Sequence, residues 1–210
     1  MDVLNKYFSG FTDKQQQQFA EIKSVYELWN SQINVISRKD MDEFYVHHVL
    51  HSLAIVAQFE FPQGMKVLDL GCGGGFPGVP LAIMFPEVHF HLVDSINKKL
   101  KVVQEVCKAL GIKNITTQHS RAEDVSQKSA DLIVSRAVAP LKDLWNWSKP
   151  LLRKYPSSTD VPNGLICLKG GDLTQEIADS ECKPYVWEIS KIFTEPYFEN
   201  KFILYQPYKK

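Results

Sequence analysis

Lys66-Val-Leu-Asp-Leu-Gly-Cys-Gly-Gly-Gly-Phe-Pro-Gly78 decides the fold of this 210-residue chain. Val67, Leu68 and Leu70 form a short apolar run, the pattern of a strand buried in a parallel sheet. Glycines then occupy 71, 73, 74 and 75, and Gly78 follows. Glycine tolerates positive φ and carries no Cβ, so a ligand can come close to the main chain. Pro77 and Pro80 have a fixed φ and no N–H, which suits the first turn of a helix. The stretch therefore reads as strand, glycine turn and helix N-terminus, a nucleotide-type site in an α/β sheet. A turn that bound nothing would carry its interior glycines at a cost of about 0.5–1 kcal/mol each relative to alanine.

The kind of nucleotide is a separate question. Gly73-Gly74-Gly75-Phe76-Pro77-Gly78 matches G-x-G-x-x-G, so a dinucleotide site, and with it an NAD(P)-dependent oxidoreductase, has to be weighed. Two features oppose it. Asp69 stands inside the strand end, and the following helix is short, delayed by Pro80 and ended by Pro86. A pyrophosphate wants a long helix with free N–H groups aimed at it. Asp69-Leu-Gly-Cys-Gly-Gly-Gly75 resembles instead the first motif of S-adenosylmethionine-dependent methyltransferases. In those enzymes the acid near the turn faces the cationic, amino-acid end of the cofactor.

Working outward, His89–Asp94 reads as a second strand ending in an acid. Asp94 lies about 20 residues past the turn, where sheets of this kind place a carboxylate for ribose hydroxyls. The competing reading is an ordinary helix cap, since an amphipathic helix over 96–110 follows. Its lysines 98, 99, 101 and 108 read as a solvated face. Residues 115–118 form a third strand, and the loop 119–124 has the small and polar character that suits adenine. Residues 131–137 form a fourth strand that runs out into Ser135-Arg136, on the ligand side of the sheet. A helix over 140–152 with Trp145 and Trp147, a polar loop over 155–162, a fifth strand over 164–171 and a helix over 174–180 follow. Residues 185–193 and 201–206 alternate like a closing antiparallel hairpin. The expected fold is α/β, Rossmann-like, with a seven-stranded mixed sheet.

Residues 1–61 read as an N-terminal helical cap, and 62–210 as the sheet-bearing domain, together one compact unit. Thr12 and Gln15 form a capping box. Phe19, Ile22, Tyr26, Trp29 and Ile33 follow helical spacing, and a second helix is expected from about Asp40 to Gln58. His47, His48 and His51 fall on it. His47 and His51 are one turn apart, as metal ligands would be, but H-E-x-x-H is absent, so no metal is assigned. The alternatives are a partly solvated helix face or a surface turned to RNA or cofactor.

Lysine plus arginine and aspartate plus glutamate balance at 24 each, so any surface for a polyanion must be local. Arg38 with Lys39, Arg121 with Arg136, and Lys169 are the candidates, lying on or beside the ligand edge. The four cysteines show no C-x-x-C, which fits reduced thiols. No secretory signal and no membrane-length apolar run are read, so a cytoplasmic monomer without a membrane partner is expected.

Several motifs together resemble one family. They are Trp29-Asn-Ser-Gln-Ile-Asn-Val35, Val46-His-His-Val-Leu-His-Ser-Leu53, Asp69 through Pro80, Leu92-Val-Asp-Ser95, Ser120-Arg-Ala-Glu123, Ser135-Arg-Ala137 and Leu168-Lys-Gly170. The family is the bacterial 16S ribosomal RNA guanine-N7 methyltransferases, also called glucose-inhibited division protein B. The resemblance spans about residues 20–175. It implies a class I S-adenosylmethionine-dependent methyltransferase fold, with cofactor contacts at Gly71, Phe76, Ala122, Glu123 and Arg136. Gly73 and Asp94 join that set from the turn and ribose arguments. The implied substrate is a guanine in the decoding-region loop of 16S ribosomal RNA, within the small subunit. A non-catalytic RNA-binding assembly module is the remaining alternative. His51 departs from the family, which often has aspartate there. Methylation at N7 needs no general base, and none is assigned. Arg136 is the one candidate for a role beyond cofactor contact.

Overall fold

A computed structural model describes residues 1–136, 139–153 and 163–208. The expected polar loop over 155–162 and Ala137 of the Ser-Arg-Ala motif lie outside the described residues. Seven strands form one mixed sheet in the order β3-β2-β1-β4-β5-β7-β6. They are β1 (Lys66–Leu70), β2 (His89–Asp94), β3 (Ile115–His119), β4 (Leu132–Arg136), β5 (Gly164–Gly170), β6 (Tyr185–Glu188) and β7 (Lys201–Pro207). The first five are mutually parallel, and β7 runs antiparallel between β5 and β6. The expected hairpin thus closes one edge of the parallel sheet, joined to it through β7, and residues 189–191 turn as a 3-10 helix instead of extending β6.

The helices are α1 (Asp2–Tyr7), α2 (Asp13–Asn30), α3 (Arg38–Asp42), α4 (His51–Leu53), α5 (Gly78–Met84), α6 (Asn97–Ala109), α7 (Leu141–Leu151) and α8 (Thr174–Ser180). The capping box at Thr12 and Gln15 opens α2. Phe19, Ile22 and Tyr26 of α2 share one core with Val67, Phe90 and Leu92 of the sheet and with α6. A second core on the opposite face joins Leu68, Ile133 and Leu165 to Leu141, Leu144 and Leu151 of α7. The link from β3 to β4 carries only a 3-10 turn at Ala122–Asp124. On that face β2 and β3 therefore present polar side chains, with His91 bonded to Thr116 and Gln118.

The helix expected over 40–58 is corrected. The α3 helix stops at Glu43, a π-helical turn occupies Tyr45–Leu50, and a 3-10 turn at Ala54–Ala57 ends the segment. Such turns mark places where tertiary contacts override the regular ladder. Here Arg136 Nη1 donates to the His47 carbonyl at 3.2 Å, from across the fold.

The glycine turn is held from behind by the cap. Tyr26 is fully buried, and its hydroxyl donates to the Gly74 carbonyl at 2.6 Å. A Cβ on Gly75 would sit 2.6 Å from Val79 Cγ2 and 3.1 Å from Tyr26 Oη, on a backbone with φ +97°. Gly75→Ala is accordingly expected to lower stability by about 1–3 kcal/mol, from overpacking. Urea unfolding of the variant checks this; an unchanged midpoint would show that the turn can move away from the cap.

Candidate functional site at the carboxyl edge of the sheet

Strand order reverses between β1 and β4, and ligands of open α/β sheets bind outside the strand ends at such a point. Two cavities open there. The first, about 330 Å³, is lined by Leu70 and Gly71 after β1, and by Asp94, Ser95 and Ile96 after β2. Ala122 and Glu123 after β3, Arg121 and Trp147 complete much of its wall. The second, about 190 Å³, lies over β4 and β5, where Arg136, His48, His51, Tyr197 and Lys201 face it.

Asp94 organises the first cavity. Its Oδ2 accepts the Gly73 N–H and its Oδ1 the Ile96 N–H, both at 2.8 Å. Gly71 and Cys72 donate to the Val93 carbonyl, so the turn is moored to the end of β2. Gly73 has φ +55°, and a Cβ added there would meet open space. Beneath the turn, Asp69 is fully buried. Its Oδ2 accepts the Gly78 N–H at 2.8 Å, and its Oδ1 has no hydrogen-bond partner. Burial pushes the Asp69 carboxyl up to about 7, against the opposing pull of that hydrogen bond. The donor at the start of α5 is therefore already taken by a carboxylate. With α5 only seven residues long, a pyrophosphate has no helix end to bind.

Of the sequence-derived cofactor residues, four line the first cavity, Arg136 lines the second, and Gly73 and Phe76 line neither. Gly71, Asp94, Ala122 and Glu123 line the first. Phe76 is buried behind the turn among Tyr26, Phe44 and His48, with ring centroids 4.8–5.9 Å away. Arg136 lies with it, its guanidinium 5.1 Å from the Phe76 ring centroid. Arg136 Nη2 meets His48 Nδ1 at 2.9 Å. Arginine only donates, so that nitrogen accepts and the His48 proton sits on Nε2. Burial first, and Arg136 second, pull the His48 imidazole down to about 3. His51 is 4% exposed and is likewise pulled down by burial and by Arg136.

His47, His48 and His51 all line the second cavity. His47 stacks on Tyr197 at 3.9 Å and pairs with Asp40 at 3.0 Å, while His51 Nδ1 lies 3.4 Å from the Tyr197 hydroxyl. No group of three or more potential ligands able to hold a metal occurs among the described residues. Lys169 lines the second cavity, with its ammonium partnered within the fold. It is 7% exposed, its ammonium pairs with Glu176 at 2.7 Å, and it donates to the Ala139 carbonyl. Arg38, Lys39 and Arg121 are exposed. Lys99, read from sequence as part of a solvated face, lines the first cavity. Sequence reading also missed Tyr197 and Lys201, whose ammonium lies 5.2 Å from the Tyr197 ring centroid. They follow a long connection between antiparallel strands, and no local pattern marks them.

Known proteins agree with this arrangement. Residues 15–198 match the family model for GidB, rRNA small subunit methyltransferase G. A Bacteroides thetaiotaomicron protein named ribosomal RNA small subunit methyltransferase G is 50% identical over 205 residues, covering 98% of both chains. One of the same name from Cytophaga hutchinsonii is 46% identical, covering 99% of both. Among solved structures, an S-adenosylmethionine-dependent methyltransferase from Aquifex aeolicus aligns with TM-score 0.58 at 15% identity, over 81% of this chain and 98% of its own. A ribosomal protein L11 methylase from Lactobacillus delbrueckii subsp. bulgaricus aligns with TM-score 0.55 at 20% identity, over 77% of each chain. The structural likenesses establish the class I methyltransferase fold. The sequence matches, running nearly end to end, place this chain in the GidB, rRNA small subunit methyltransferase G, family.

Proposed function

We propose that this chain transfers a methyl group from S-adenosylmethionine to N7 of a guanine in the decoding-region loop of 16S ribosomal RNA. On this reading it acts as a monomer on RNA presented in the small subunit. The observation that carries the reading is the division of the carboxyl edge. A cavity beside the glycine turn, holding Asp94 and Glu123, is separate from one over β4 and β5 that holds Arg136, Lys169 and Lys201. The first suits the cofactor. Asp94 retains lone pairs for ribose hydroxyls, and Asp69, buried beneath the turn, stands on the side assigned to the cationic amino-acid end. Gly71, Gly73, Ala122 and Glu123 complete that side.

S-adenosylmethionine supplies, when bound, a methyl group on a sulfonium. Guanine N7 carries an in-plane lone pair and needs no deprotonation before attack. The protein's task is then alignment of acceptor and donor, which in oriented systems is worth several kcal/mol, up to about 7–11. The second cavity fits this, since burial and Arg136 hold His48 and His51 neutral. Arg136 serves as a positioning residue, tying the end of β4 to the π-helical turn through His47 and His48. Methylation of purified small subunits with labelled cofactor, followed by mapping of the modified base, tests the reading. Label at another atom would refute the N7 assignment. Subunit binding without label would favour the assembly module.

RNA contact is assigned to Arg38, Lys39 and Arg121. Arg38 and Lys39 adjoin Asp40, which lines the second cavity. Arg38→Ala with Lys39→Ala is expected to weaken subunit binding and leave cofactor affinity unchanged. The slope of log K against log salt should fall by about 0.7–0.9 for each phosphate no longer neutralised. Lys98→Ala with Lys101→Ala is the control, because both lysines are exposed on α6 and neither lines a cavity at this edge. Equal weakening by the two pairs would put the RNA on another face.

A further inference from the structure

Trp147 belongs to α7, a helix whose apolar stripe of Leu141, Leu144 and Leu151 is spent on the second core. Trp147 lies at the margin of that stripe, half-buried, and its ring reaches no other aromatic ring among the described residues. It is nonetheless part of the wall of the first cavity, the one contribution of α7 to that lining and its one aromatic side chain. The same wall holds Ile96, an apolar side chain left 40% exposed, together with Ala122. Asp94 and Glu123 supply acceptors close by. A planar apolar surface, a second apolar surface and acceptors in one small cavity form the chemistry of a purine slot. A flat heterocycle gains from an aromatic face whatever its edge pattern.

We propose that Trp147 is the stacking surface for the adenine ring of the cofactor, with Ile96 completing the slot. This rests on the cofactor reading given above. It assigns the adenine half of the cavity to α7 as well as to the loops after β2 and β3. It also makes Trp147 the intrinsic reporter of binding, among tryptophans 29, 145, 147 and 187.

The test is titration of the full chain with S-adenosylhomocysteine and with 5′-methylthioadenosine, followed by calorimetry and by tryptophan fluorescence. Trp147→Ala is expected to weaken both ligands by about tenfold, the lower part of the range for losing one base–aromatic stack. The two losses should be alike, because the ligands share adenine and differ in the amino-acid end. Trp147→Phe, which keeps a ring, should restore most of the affinity. The fluorescence change on binding should vanish in both variants and persist in Trp145→Phe. Circular dichroism establishes that each variant is folded, and Trp147→Leu replaces the alanine variant if that one is not. Unchanged affinity in folded Trp147→Ala, or a fluorescence change that survives it, would overturn the assignment. Failure of the unsubstituted protein to bind S-adenosylhomocysteine would instead overturn the cofactor reading beneath it.

Discussion

Asp69→Asn is expected to make the protein more stable at pH 8, by about 2 kcal/mol, while weakening the cofactor. The Asp69 carboxyl is fully buried and raised from 3.8 to about 7, because burial penalises its charge. A group raised in this way binds its proton more tightly folded than unfolded. Its contribution to stability is full below about pH 4 and is lost as pH rises through about 7. The interval corresponds to about 4 kcal/mol, an upper figure. The amide keeps an oxygen for the Gly78 N–H but brings an NH₂ to the side where Oδ1 has no partner, at about 1–3 kcal/mol. The difference is the expected gain. His48, lowered to about 3, acts with the opposite sign: its contribution is present above about 6.5 and is lost as pH falls towards 3. In the unsubstituted protein the two slopes oppose each other between about pH 4 and 6.5. Asp69→Asn removes one of them, so the variant should lose stability in acid more steeply. Denaturant unfolding at pH 8 and pH 5 measures both effects. A variant less stable than the parent at pH 8 would show that the buried charge is compensated by more than one hydrogen bond. Calorimetry with S-adenosylhomocysteine measures the accompanying loss, expected to be tenfold or more if Asp69 faces the amino group.

The parts of the fold that sequence reading anticipated are those fixed by local chemistry. Pro86 lies just past a helix of seven residues, which starts at Gly78 and so is not delayed by Pro80, and Thr12 with Gln15 caps α2, because each effect acts within a turn of chain. Buried parallel strands read as apolar runs, so β1, β2, β4 and β5 were legible. The segment 43–57 was not. Phe44, Val49, Leu53 and Val56 suit a regular helix, and the break depends on Arg136, which arrives from β4 some 88 residues later. Lys169 shows a related effect. A lysine at a strand end reads as free, and only the docking of α8 brings Glu176 onto it. Tyr197 and Lys201 enter the second cavity from the antiparallel end of the sheet, where topology and not spacing decides position. The glycine turn and Asp94 meet at the carboxyl edge as their spacing suggests, Asp94 accepting the Gly73 N–H.

Asp94→Ala is expected to be the most damaging single change at the edge, and to act twice. Asp94 is charged, largely buried and accepts two backbone N–H groups at 2.8 Å, from Gly73 and Ile96. Hydrogen bonds to charged groups are worth about 1.5–3 kcal/mol each, so losing both should cost about 3–6 kcal/mol of stability. The lost lone pairs should cost a further 1.5–3 kcal/mol or so of cofactor affinity, for the ribose hydroxyls they would receive. Asp94→Asn separates the two effects poorly in one respect and well in another. Its amide oxygen can serve one of the two N–H groups, but its NH₂ must face the other, donor against donor. About half of the stability loss should therefore remain in the asparagine variant. Unfolding curves give the first quantity. Calorimetry with S-adenosylhomocysteine, at a temperature where circular dichroism shows each variant folded, gives the second. If Asp94 receives the ribose, affinity falls in folded Asp94→Ala to a greater degree than in Asp94→Asn, which keeps one acceptor. If both variants lose stability in the expected order while binding the cofactor as tightly as the parent, Asp94 is only the mooring of the glycine turn, and the ribose lies elsewhere along the first cavity.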